Sequence, residues 1–218
     1  MRKIDKTIVR STEYRDWEAQ LEASGSPHPP YNSSAGKYYT DIVMELLRCQ
    51  GGLCAYTEVQ LCAADDLKPE HWTNGRYNPP EKVNNGQLEH FDESLKAKTS
   101  DPNTQAKDWL WSNFFMVESD TNNRKGTKTV DPILKPDAPD YDPEKLLEYN
   151  QNTGFYLPNE QLDPATQQRV KYMLDVLGIN FPNLVDKRKN KIAKALKFGV
   201  EAIEPDFPTA FAFCAKAG

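Results

Sequence analysis

Gln87-Leu88-Glu89-His90-Phe91, followed about twenty residues later by Trp111-Ser112-Asn113-Phe114 and then by Asn122-Asn123-Arg124-Lys125-Gly126, is the part of the chain on which its reading turns. The first stretch sets a carboxylate directly beside an imidazole. The second supplies an amide at Asn113, another at Asn122, and a Lys-Gly stop. Adjacent side chains of a strand leave on opposite faces. Glu89 and His90 therefore share one substrate only if the strand ends there and the two side chains diverge around it. Hydrolysis of a phosphodiester needs a base for water, a cation on the phosphate, and a group that steadies the leaving oxygen. His90 suits the first role, because an imidazole titrates near neutral pH. Magnesium keeps several of its waters, so one carboxylate and one amide suffice from the protein. Glu89 and Asn122 are the candidates. Asn113 is placed to orient the His90 ring, and Arg124 or Lys125 to touch phosphate. The spacing also describes a strand end followed by caps and turns, so by itself it leaves both readings open.

Outward from this stretch the chain reads as a mixed α+β protein. A helix is expected over 13–23 with Trp17 and Leu21 one turn apart. A clearer one follows, with Tyr39, Ile42, Val43, Leu46 and Leu47 on an apolar face and Asp41, Glu45 and Arg48 opposite. Gly51-Gly52 closes it. Residues 53–59 then read as a strand, as do residues 1–8 at an edge. Residues 63–86 are rich in turns, and 92–107 is a polar loop. Beyond Gly126 the chain is extended and proline-rich. Asp163-Pro164 then opens a helix that buries Val170, Met173, Leu174 and Leu177. A last long helix is expected over 183–203, with Leu184, Ile192, Leu196 and Val200 on one face. Lys187, Arg188, Lys189, Lys191, Lys194 and Lys197 line the other, as a solvated surface or a contact for DNA or an acidic partner.

The totals narrow the function classes. The 218 residues suit one large domain or two small ones, and their formal charge of −5 argues against a broad nucleic-acid-binding surface. No apolar run reaches the length of a membrane span, and the first residues lack the apolar centre of a signal peptide; a cytoplasmic protein is expected. The four cysteines, Cys49, Cys54, Cys62 and Cys214, form no Cys-x-x-Cys pair and read as free thiols. His28, between prolines, reads as a solvated loop residue, and His71 as part of a surface element.

A family resemblance sharpens these readings. Leu46-Leu47-Arg48-Cys49-Gln50-Gly51-Gly52-Leu53-Cys54-Ala55-Tyr56-Thr57-Glu58 resembles the opening of the PtuB-like HNH endonucleases of Septu-type and retron-linked anti-phage systems. Leu88-Glu89-His90-Phe91, Trp111-Ser112-Asn113-Phe114 and Asn122-Asn123-Arg124-Lys125-Gly126 are similar to three further motifs of that family, in order. Asp131-Pro132, Gly154, residues 177–188 and residues 206–210 continue the likeness over nearly the whole chain.

The resemblance implies a ββα-metal (HNH/His-Me finger) core embedded in a mainly helical domain. Residues 1–50 would form a helical lead-in, 51–130 the nuclease core, and 131–218 a wrap with C-terminal helices, all in one compact body. It implies His90 as general base, Asn113 as its positioning partner, and Glu89 and Asn122 as ligands of Mg2+ or Mn2+. It implies DNA as substrate and a PtuA-like ATPase as partner subunit. One departure stands out. Many relatives hold a structural zinc with two Cys-x-x-Cys pairs. Here Cys54 is retained, Thr57 replaces its partner, and Glu118 and Thr121 replace the second pair. A thiol, two hydroxyls and a carboxylate make a poor zinc site, so no structural zinc is expected. Aromatic packing through Tyr56, Trp109, Trp111, Phe114 and Phe115 is expected instead.

Overall fold

The computed structural model describes residues 1–30, 34–78, 86–96, 106–198 and 206–217. Its architecture is α+β: among the described residues, helices alternate with three separate two-stranded antiparallel sheets. The helices are α1 (Thr12–Ser24), α2 (Tyr39–Cys49), α3 (Ser119–Lys125), α4 (Pro143–Leu146), α5 (Pro164–Val176), α6 (Pro182–Phe198) and α7 (Pro208–Ala217). The strands are β1 (Trp72–Thr73), β2 (Arg76–Tyr77), β3 (Gly86–His90), β4 (Phe114–Glu118), β5 (Leu147–Asn150) and β6 (Phe155–Pro158). One hydrophobic cluster draws on all three segments of the chain, from Met1 and Ile4 through Leu46, Trp109 and Phe115 to Leu177 and Cys214. Among the described residues no helix is long and apolar enough to cross a membrane.

The lead-in is not an edge strand. Ile4 N–H donates to the Pro136 carbonyl at 2.9 Å, and Lys6 is swallowed by the core. The Lys6 ammonium pairs with Asp137 at 2.8 Å and donates to the Phe114 carbonyl at 2.9 Å. Burial pushes it down to about 8 against the pull of Asp137.

Helix α2 buries the expected Ile42, Val43, Leu46 and Leu47, but its acidic side is not solvated. Asp41 accepts from Tyr77 N–H at 2.7 Å and Arg76 Nε at 2.6 Å. Glu45 accepts from the backbone N–H groups of Arg10 and Ser11 at 3.0 and 2.9 Å. Period alone cannot separate a solvated carboxylate from one that caps another segment; here both carboxylates satisfy orphan donors. Arg76 and Tyr77 belong to the β1–β2 hairpin, whose turn at Asn74-Gly75 has positive φ at both residues, 53° and 74°.

After α2 the chain must reverse. Gly52 has φ of 77°, and a Cβ there would lie 2.5 Å from the Cys62 carbonyl oxygen, so only glycine fits. The stretch read as a strand is instead a compact knuckle: Glu58 N–H returns to the Cys54 carbonyl at 3.1 Å, and Cys54 N–H reaches the Val59 carbonyl at 2.8 Å. Its extended-looking residues are held by this local loop and by one isolated bridge, Leu53 to Gln60. Beside it, the Gln50 side chain clamps the outer edge of β4. It accepts from Met116 N–H at 2.9 Å and donates to the Met116 carbonyl at 2.8 Å.

In the C-terminal part, β5 and β6 form a hairpin through Gly154, and Asp163 caps α5 by accepting from Ala165 and Thr166 N–H at 3.0 and 3.1 Å. Helix α6 presents Val185, Arg188, Ile192 and Ala195 inward, and Leu196 is exposed. Arg188, read as part of a basic face, is fully buried. Its two terminal nitrogens donate to the carbonyls of Gly154 at 2.8 Å and Ile179 at 2.7 Å. Lys187 and Lys191 lie 3.6 and 3.1 Å from Asp206, so the outward basic surface shrinks to the exposed Lys194 and Lys197 with the half-buried Lys189. Val200 and Ile203, placed in this helix from the sequence, lie outside the described residues.

Candidate active site

The site is built on the hairpin of β3 and β4. The two strands run antiparallel, with Glu89 opposite Phe115 and His90 opposite Phe114, and β4 passes directly into α3. Helix α3 packs back on both strands. Gln87 and Glu89 share the face of β3 turned toward α3. Asn122 and Lys125, three residues apart and so on one side of a helix, meet them in register. Asn122 Nδ2 donates to Gln87 Oε1 at 3.0 Å, and Lys125 Nζ lies 2.5 Å from Glu89 Oε1.

Glu89 and Lys125 are each 1% exposed. The Tyr56 hydroxyl, from the knuckle, donates to the other carboxylate oxygen at 2.6 Å, and Lys125 Nζ also donates to the His90 carbonyl at 2.9 Å. Burial pushes the Glu89 carboxyl up, while Lys125 and the Tyr56 hydrogen bond hold it down. A buried carboxylate persists only with such partners, and this one has a cation and a hydroxyl. Apolar packing, the role the sequence suggests for Tyr56, is only part of what it does. Its hydroxyl role depends on the Cys54–Val59 turn, which the strand reading hid.

His90 points to the other face. Its ring packs edge-on against Phe114, with centroids 4.8 Å apart, and Nε2 meets the Asp108 carbonyl at 2.9 Å. A neutral ring in that contact carries its proton on Nε2 and its lone pair on Nδ1. The imidazole is 2% exposed, and burial, helped by the charges of Lys96 and Lys125, pushes it down to about 4 against the pull of the Asp108 carbonyl. It is neutral at pH 7.

Several sequence expectations are corrected here. The four side chains do not converge: Glu89 faces α3, where Asn122 lies, whereas His90 faces Phe114, because β3 keeps its pleat through His90. Asn113 does not hold the ring. Its amide accepts from Asp92 N–H at 2.8 Å and donates to the Asp92 carbonyl at 3.0 Å, pinning the chain just past β3. Lys125 is not free for phosphate, since it is buried against Glu89. Arg124 is exposed but stacks on Phe181, 3.4 Å from the ring centroid, beside a cavity of about 150 Å3 that Glu118, Asp120 and Thr121 also line. His28 is not solvated: Nδ1 accepts from Trp109 N–H at 3.0 Å and Nε2 lies 2.8 Å from Glu22. Proline-flanked loops are polar on average, and here tertiary packing folded one inward. His71 does lie near the surface, half-buried, with Nδ1 3.0 Å from the Asp66 carbonyl.

Of the four positions that the resemblance compares with zinc ligands, Cys54, Thr57 and Glu118 gather. Thr57 N–H reaches Cys54 Sγ at 3.5 Å, and Thr57 Oγ1 donates to Glu118 Oε2 at 2.5 Å. A hydrogen bond thus ties the knuckle to the end of β4. Burial, with Glu118 nearby, pushes the Cys54 thiol up. Among the described residues no three His, Cys, Asp or Glu side chains are grouped to hold a metal ion. The divalent cation implied by the resemblance does not fit the arrangement described, because Lys125 already fills the cation's place against Glu89. Compared with models of known families and with curated proteins, the chain matches none.

Proposed function

We propose that the chain is an HNH-type endonuclease subunit of an anti-phage system, directed at DNA and acting beside a partner ATPase. The observation that carries this reading is the order hairpin, then helix, with Glu89 of β3 and Asn122 of α3 brought to one layer. An antiparallel strand pair leading into a helix is the order that a ββα core would also have, and this supports the reading. His90, neutral and oriented by a backbone carbonyl, has the protonation state a general base needs. The cofactor under this reading is Mg2+ or Mn2+, whose place against Glu89 is taken by Lys125 in the arrangement above. The formal charge of −5 favours a partner that supplies the grip on DNA.

A second reading is a catalytically silent interaction subunit of the same fold. The opposed directions of Glu89 and His90 favour it. Plasmid nicking with magnesium or manganese separates the two. Cutting by the wild type, alone or with its ATPase, that disappears in His90→Ala supports the nuclease. An intact plasmid and intact RNA under every condition leave the silent subunit.

A further inference from the structure

We propose that the cavity between α3 and α6 is a pocket for a guanine base. It holds about 150 Å3, and neither Glu89 nor His90 lines it. Opposite charges border it without meeting. Glu118, at the end of β4, and Asp120, in the first turn of α3, supply carboxylates. Arg124, in the last turn of α3, and Lys187 of α6 supply cations. Among the described residues Arg124 pairs with neither carboxylate; its guanidinium instead stacks on the Phe181 ring, 3.4 Å from the centroid. Asp120 and Lys187 are exposed, and Glu118 commits one oxygen to the Thr57 hydroxyl.

The stack is built into the backbone. Gly178 has φ of 66°, and a Cβ there would lie 2.8 Å from the Phe181 ring and 3.6 Å from Arg124 Cδ. Glycine is what lets the ring and the arginine close over each other. A guanidinium plane held on an aromatic ring is a stacking platform for a nucleobase. The volume lies well below the roughly 300 Å3 at which ordinary ligand pockets begin. One planar ring system therefore enters, and sugar and phosphate stay outside. The carboxylates call for neighbouring donors, which guanine presents at N1–H and its 2-amino group. The cations call for acceptors, which guanine presents at O6 and N7. Adenine and cytosine set an acceptor ring nitrogen beside their amino group, and a carboxylate repels it. Binding of this kind requires no cutting, so it stands or falls apart from the nuclease reading above.

Guanine arrives either as a free nucleotide or within a single strand, and the test separates the two. The full chain is titrated calorimetrically with GMP, AMP, CMP and UMP, with divalent metal chelated. It is then titrated with single-stranded thymidine hexamers that carry one guanine or one adenine. The guanine ligand is expected to bind at least ~10-fold more tightly than its counterparts. A preference shown by GMP marks the free nucleotide, and one confined to the hexamers marks the single strand. Arg124→Ala is expected to weaken guanine binding at least ~10-fold, and Asp120→Asn to erode the preference over adenine. Both side chains are exposed, so both variants are expected to fold, as circular dichroism checks. No guanine preference in either titration, or unchanged affinity in both folded variants, overturns the proposal.

Discussion

Acidification should expose what burial does to His90. An unfolded chain takes up a proton on this ring near pH 6.5, whereas in the folded protein the ring is pushed down to about 4. Between those values the unfolded state binds more protons, so stability falls as pH falls. The contribution is complete above about pH 6.5, shrinks through the window and levels off below about pH 4. At about 1.4 kcal/mol per pH unit, the full loss is about 3 kcal/mol. Urea denaturation of the wild type and His90→Gln at several points between about pH 7 and about pH 4.5 measures it. All other titratable groups are common to both proteins, so the difference between the curves isolates His90. The wild type should lose about 2 kcal/mol more than the variant over that window. Parallel curves would mean that the folded ring accepts a proton readily, and the sealed, carbonyl-bound geometry would be wrong.

Lys125→Met strands a buried carboxylate and should cost about 3–5 kcal/mol in denaturant unfolding, while Glu89→Gln with Lys125→Met should recover most of that loss; additive losses would show the pair is not coupled. Arg188→Met leaves the Gly154 and Ile179 carbonyls without their donor and should cost about 2–5 kcal/mol, measured the same way; a cost below about 1 kcal/mol would place the guanidinium in solvent. Thr57→Cys, Glu118→Cys and Thr121→Cys together, with Cys54, should rebuild a tetrahedral thiolate site seen by the visible absorption of one bound Co2+ per chain; no such band would remove the link between the knuckle and the end of β4.

The sequence by itself determined the local grammar. The α2 face, the glycine stop at Gly51-Gly52, the cap at Asp163, the short strand ending near His90 and the α3 turn before Gly126 all follow from period, caps and backbone freedom within a few residues. It also singled out the residues that gather around β3. Tertiary structure decided what those residues do, because a charged side chain's role depends on partners far away in the chain. Asp41, Glu45 and Arg188 read as surface charges and became buried hydrogen-bonding anchors. Glu89 and His90 are neighbours in sequence, yet the pleat of β3 sends one toward Lys125 and Tyr56 and the other toward Phe114 and Asp108. Adjacency along the chain is fixed by covalent bonds. Convergence in space is fixed by which face of a strand the core claims, and that depends on residues 56, 108 and 125 as much as on residues 89 and 90.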